Sequence, residues 1–130
     1  MKAVSQYQLP VSSIVIECPF GTMLQTVKNR FHSLNIPTFL MANLLVFWGG
    51  MQNGFNAFTH NPEAYAREIR CPTLLMYGVK DLKVTKQEIE TIYNNLPGQK
   101  ELVTFPEAGN ENYLRRYKKE WTKEVEEALL

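Results

Sequence analysis

One position in this sequence carries a side chain from which chemistry could be built, Asp81, and the turn after the next strand places Asn110 at the same edge of the sheet. Asp81 closes the stretch Pro72-Thr73-Leu74-Leu75-Met76-Tyr77-Gly78-Val79-Lys80-Asp81. A continuous apolar run that follows a proline and ends in a glycine is the pattern of a strand buried on both faces of a parallel sheet. A carboxylate three residues further on then stands at the C-terminal edge, where ligand and catalytic groups gather in open α/β sheets. The plainer role for Asp81 is that of a turn residue accepting hydrogen bonds from local backbone N–H groups. Asn110 lies in the glycine turn Glu107-Ala108-Gly109-Asn110, after a second short strand spanning Lys100 to Pro106. An amide has no proton that titrates near neutral pH, so Asn110 cannot serve as a general acid or base. Asparagine also tolerates left-handed backbone, which gives it a purely structural role in a turn.

The remaining candidates are weaker. His32 and His60 are far apart in sequence and read as structural or surface histidines. Cys18 and Cys71 lack metal-ligand spacing and read as small buried hydrophobes; a Cys18 nucleophile would need a nearby base and a lowered pKa. Ser12 and Ser13 precede a strand without the glycines of a nucleophile elbow. Phe47, Trp48, Phe55 and Phe58 would either line an apolar pocket or belong to the core.

The elements that must position these residues follow from apolar spacing and helix caps. Met1 to Gln8 reads as a helix end with Ala3, Val4 and Tyr7 on one face. Ser13 to Cys18 reads as a buried strand, β-branched and bounded by Pro10 and Pro19. Thr22 caps a helix to about Leu34 that uses Leu24, Val27, Phe31 and Leu34. A helix from about Thr38 to Phe47, ended by Gly49-Gly50, is apolar nearly all round and is therefore expected to be buried. Asn61-Pro62-Glu63 starts a short helix to about Ile69. Thr85 and Glu88 form a capping-box pattern for a helix that buries Ile89, Ile92, Tyr93 and Leu96. The last helix, from about Asn112 to Leu129, is expected to bury Leu114, Tyr117, Trp121, Val125 and Leu129. Strands alternating with helices through short connections imply a parallel sheet with right-handed crossovers, here of three strands.

Composition sets outer limits. The chain has 130 residues, is 45% hydrophobic and carries a net charge of +1. That suits one domain and offers no basic field for nucleic acid or anionic membrane. Two cysteines make no disulfide scaffold and point to a reducing, cytoplasmic compartment. The segment from Ile36 to Met51 falls short of the ~20 apolar residues of a membrane span, so no span is expected. A receiver-like three-stranded module would require clustered acids near the first strand, and the sequence has none there.

The pattern resembles the C-terminal half of an α/β-hydrolase of the prolyl-oligopeptidase-like or serine-aminopeptidase-like branch. Ile14-Val15-Ile16-Glu17-Cys18-Pro19-Phe20 is similar to the family's strand after the nucleophile helix. Ile69 to Asp81, with Val84 behind it, is similar to the strand carrying the triad acid. Leu96-Pro97-Gly98, Lys100-Glu101-Leu102 and Phe105-Pro106 are similar to the approach to the catalytic histidine. The resemblance implies a partial α/β-hydrolase fold over 1–130, with its last three strands, flanking helices and a cap-like helical insertion over about 21–68. It implies serine-type hydrolysis of ester or peptide-like bonds, a small-molecule or peptide substrate, no cofactor and no metal.

Within the resemblance Asp81 takes the place of the triad acid, and Asn110 stands where the family has histidine in an A-G-H pattern. The sequence holds no G-x-S-x-G elbow, and the resemblance puts Met1 a few residues beyond where that serine would lie. The expectation is a chain that is truncated relative to the family and inactive by itself. The alternative is a non-catalytic interaction module that self-associates or completes its sheet with another chain at the Ser13–Cys18 edge, since an open strand edge is a template for pairing.

Overall fold

The computed structural model describes residues 1–129. Its centre is β2 (Thr73–Gly78), every residue of which is buried. β1 (Ile14–Glu17) lies parallel to β2 on one side, in register from Ile14 opposite Thr73 to Glu17 opposite Met76. β3 (Lys100–Phe105) lies parallel on the other side, from Lys100 opposite Thr73 to Phe105 opposite Gly78. The sheet order is β1-β2-β3, and all strands are parallel, as the alternating pattern predicts.

Because side chains alternate along a strand, β2 feeds two cores. Leu75 and Tyr77 join Ile14, Ile16 and Leu102 on one face, which is covered by α1 (Lys2–Tyr7), α4 (Pro62–Ala66) and α5 (Lys86–Asn95) through Val4, Ala66, Ile89 and Ile92. Leu74 and Met76 join Val15, Val103 and Phe105 on the other face, under α6 (Tyr113–Arg116) and α7 (Lys118–Leu129). Phe105 stacks on Tyr113 with ring centroids 4.7 Å apart, and Tyr117 closes against Phe105 at 5.5 Å.

Caps fix the helix starts. Thr22 accepts a hydrogen bond from the Gln25 N–H at the head of α2 (Met23–Ser33). Asn61 accepts one from Ala64 at α4, and Thr85 with Glu88 completes the capping box of α5. Glu88 does more than cap. It is buried, its Oε1 accepts from the Gly21 N–H at 3.1 Å, and its Oε2 accepts from Asn29 Nδ2 at 3.2 Å. One carboxylate thereby ties the β1–α2 turn and α2 to the start of α5.

Several sequence expectations are corrected. The face that α1 turns inward carries Val4 and Ser5; Tyr7 is exposed. Leu34 is exposed too, because α2 ends at Ser33 and leaves it outside the helix. α4 stops at Ala66, three residues early, although Ile69 is still fully buried. The last helix is split: Tyr117 leaves helical geometry at φ −122°, ψ 43°. Tyr113 takes the core position expected of Leu114, which is exposed, while Tyr117, Trp121 and Val125 pack on the sheet as expected. The expected burial of the Leu129 side chain lies outside the described residues.

The largest correction concerns α3, which runs Met41–Gln52, later than expected and straight through Gly49 and Gly50. Gly50 is there for packing: a Cβ on it would come within 2.7 Å of the Phe55 carbonyl oxygen, where the chain folds back over the helix toward the 3₁₀ turn Ala57–Thr59. Only Ala42, Val46 and Gly50 of α3 are buried. The helix is apolar all round yet mostly uncovered, because its buried stripe needs only small side chains against α2 and the 3₁₀ turn.

Candidate active site

Asp81 sits just past the C-terminal end of β2, in a turn closed by its own N–H to the Gly78 carbonyl at 3.0 Å. Its carboxylate is buried. Oδ1 accepts from the Lys83 N–H at 2.7 Å and the Val84 N–H at 3.1 Å, while Oδ2 accepts from Asn110 Nδ2 at 3.0 Å. One oxygen of Asp81 thus holds the local turn, and the other faces position 110. The Asn110 carbonyl oxygen in turn accepts from Lys83 Nζ at 3.3 Å. Lys83 is a member of this cluster that the motif reading missed; a lysine two residues after the acid carries no distinguishing sequence signal.

The loop bearing Asn110 is held against the strand end by backbone contact. Lys80 N–H donates to the Ala108 carbonyl at 2.9 Å, and Val79 N–H to the Phe105 carbonyl at 3.0 Å. Gly78 permits the approach, since a Cβ there would lie 2.5 Å from the carbonyl oxygens of both Ala108 and Gly109. Asn110 itself has no positive φ, so left-handed backbone does not explain an asparagine at this position.

Cys18 reaches the same end of the sheet. It follows β1 in left-handed backbone, φ 45°, which brings its thiol beside the Tyr113 hydroxyl at 2.6 Å. That hydroxyl also donates to the Gly109 carbonyl at 3.2 Å. Burial pushes the Cys18 thiol above its ordinary value, and the nearby Asp81 carboxylate adds to the shift. The thiol is therefore held protonated, the opposite of what a nucleophile requires. Burial likewise raises the Tyr113 and Tyr77 hydroxyls, so neither is poised to donate or accept a proton near neutral pH.

The other candidates do not converge here. His60 lies among the rings of Phe20, Phe55 and Tyr65, at centroid distances of 5.8, 6.3 and 5.4 Å. Its pKa is lowered by partial burial and then by the charge of Lys2. His32 is exposed on the last turn of α2. Phe47, Trp48, Phe55 and Phe58 are not core, each remaining about half exposed; Phe47, Phe55 and Phe58 line an open depression with Val46, Met51 and Ala57. Among the described residues, no group of three or more His, Cys, Asp or Glu side chains could hold a metal ion, and no helix is long and apolar enough to cross a membrane.

Three parallel strands with flanking helices are shared with solved structures. The Pyrococcus furiosus esterase Pf2001 superposes with a TM-score of 0.71 at 20% identity, over 98% of this chain and 47% of that one. The chain has a partial α/β-hydrolase fold. Acetyl xylan esterase 1 from Thermoanaerobacterium shares that fold with a TM-score of 0.59 at 19% identity, covering 92% of this chain and 39% of its own. The Pyrococcus horikoshii acylaminoacyl peptidase does so with a TM-score of 0.63 at 15% identity, covering 98% and 22%. The chain spans about half the length of the Pf2001 esterase it matches. No protein-family model matches the sequence, and no curated protein matches it. The partial α/β-hydrolase fold puts Asp81 and Asn110 side by side at the strand ends; a serine in an elbow is not among its residues.

Proposed function

We propose that this chain belongs with the serine hydrolases of ester or peptide-like bonds by descent, retains the acid corner of their site, and does not turn over substrate by itself. The carrying observation is the 3.0 Å hydrogen bond from Asn110 Nδ2 to Asp81 Oδ2. In a serine–histidine–acid site the acid orients an imidazole, which takes the proton of the serine and returns it to the leaving group. Here an amide donates to the acid. It satisfies the carboxylate without offering a proton acceptor behind it, and Lys83 holds its carbonyl oxygen. The cap-like segment over about 21–68 and a reducing, cytoplasmic setting for free Cys18 and Cys71 belong to the same reading. The test is hydrolysis of an activated ester by the purified chain. Turnover at the rate of buffer, unchanged in Asp81→Ala, is the expected result. Turnover above buffer that Asp81→Ala abolishes would overturn the proposal.

A second reading is favoured by β1. It pairs only with β2, and its other edge meets no strand of the described chain. Such an edge recruits a further strand. As an interaction module, the chain would complete its sheet there with another polypeptide. Protection of the outward-facing β1 amides in hydrogen exchange is expected to rise when that partner is added; a partner that binds without changing those amides speaks against sheet completion.

A further inference from the structure

α3 carries no charged residue. Leu40, at its N-cap, and Met41, Leu44, Leu45, Phe47, Trp48 and Met51 are each between 50% and 59% exposed. At 100° per residue they span about 160° of the helix circumference, and the buried stripe Ala42-Val46-Gly50 lies directly opposite. This apolar arc is interrupted only by Gln52 at the last residue of the helix, unlike the scattered apolar residues of an ordinary surface. A large side chain buries ~200 Å² in full, so seven half-exposed ones offer on the order of 700 Å². That matches the ~800 Å² per partner of a standard protein–protein interface.

We propose that this face docks a second copy of the chain about a two-fold axis, α3 against α3. Two features favour a copy of itself over other occupants. A two-fold contact sets each patch against the same patch, and a face without charge meets its duplicate with no like-charge repulsion to offset. A helix lying in a membrane interface, by contrast, pairs its apolar side with a strongly charged one rich in Lys and Arg; α3 has none, its polar side chains being Asn43 and Gln52. The contact is separate from the β1 edge and does not depend on the chain's catalytic state.

Sedimentation velocity of the full chain at tens of micromolar should show a dimer. The double variant Leu44→Glu/Trp48→Glu should weaken it at least tenfold with far-ultraviolet dichroism unchanged. Should that variant fail to fold, the milder Phe47→Gln/Met51→Gln takes its place with the same expectation. A monomeric parent chain overturns the proposal. So does a dimer that survives both variants, which would locate pairing elsewhere, such as the β1 edge. A parent monomer that co-sediments with neutral phosphatidylcholine vesicles would assign the face to membrane instead.

Discussion

The Asp81 carboxylate accepts three hydrogen bonds, two from backbone N–H groups and one from the Asn110 side chain, which a substitution can address. Asn110→Asp would put a second carboxylate where an amide now donates at 3.0 Å. Two carboxylates at that distance cannot both ionise freely, so the pair's shared pKa rises. Losing the donor and gaining the repulsion should cost about 1–3 kcal/mol at neutral pH. The penalty is present above the raised pKa and relieved as pH falls through it; urea denaturation at pH near 7.5 and near 5 would show a gap to the parent chain that narrows in acid. His60 works in the opposite sense. Burial, then the charge of Lys2, lowers its pKa from 6.5, so protonation favours the unfolded chain. Its contribution to stability is complete above 6.5 and lost as pH falls through the lowered folded value. His60→Phe, which keeps a ring among Phe20, Phe55 and Tyr65, should flatten the dependence of melting temperature on pH over that window. At this scale Asp81 and position 110 were legible, because an apolar run ending in Gly78 and the Ala108-Gly109 turn are local patterns. The Cys18–Tyr113 contact was not. It depends on a left-handed residue after β1, which nothing in the neighbouring sequence demands.

Among the elements, α5 anchors the rest through one side chain. Glu88 accepts from the Thr85 N–H and hydroxyl, both at 2.9 Å, as well as from Gly21 and Asn29. Glu88→Gln keeps the shape but turns one acceptor oxygen into a donor amide, leaving some of these donors unmatched. A loss of about 1–3 kcal/mol is expected in chemical denaturation. Asn29 also reaches the Lys83 carbonyl at 3.0 Å, so the Asp81 turn should loosen with it, seen as faster exchange of the Lys83 and Val84 amides. The capping box was plain in the sequence because it is a four-residue pattern with a geometric cause. α3 departs from expectation because an apolar helix does not require burial on every side. Its small stripe, Ala42, Val46 and Gly50, was the better guide to what the fold covers. The last helix differs in two respects that spacing does not record: the backbone breaks at Tyr117, and Tyr113 rather than Leu114 is buried.

The whole molecule is a three-stranded sheet with helices on both faces, and its parallel sense followed from the alternation of strand and helix signals. What periodicity could not supply is the set of surfaces left open, since patterning records which side of an element is apolar and not what meets it. The β1 edge and the outer arc of α3 are both of that kind. The molecule also carries its own pair of optical probes. Of its two tryptophans, Trp48 stands half in water on α3, while Trp121 packs on the sheet and donates from Nε1 to Glu17 of β1 at 2.6 Å. Iodide should quench the redder emission of the first and spare the bluer emission of the second. One fluorescence spectrum would then follow the outer helix and the sheet edge as separate colours, without a label on either.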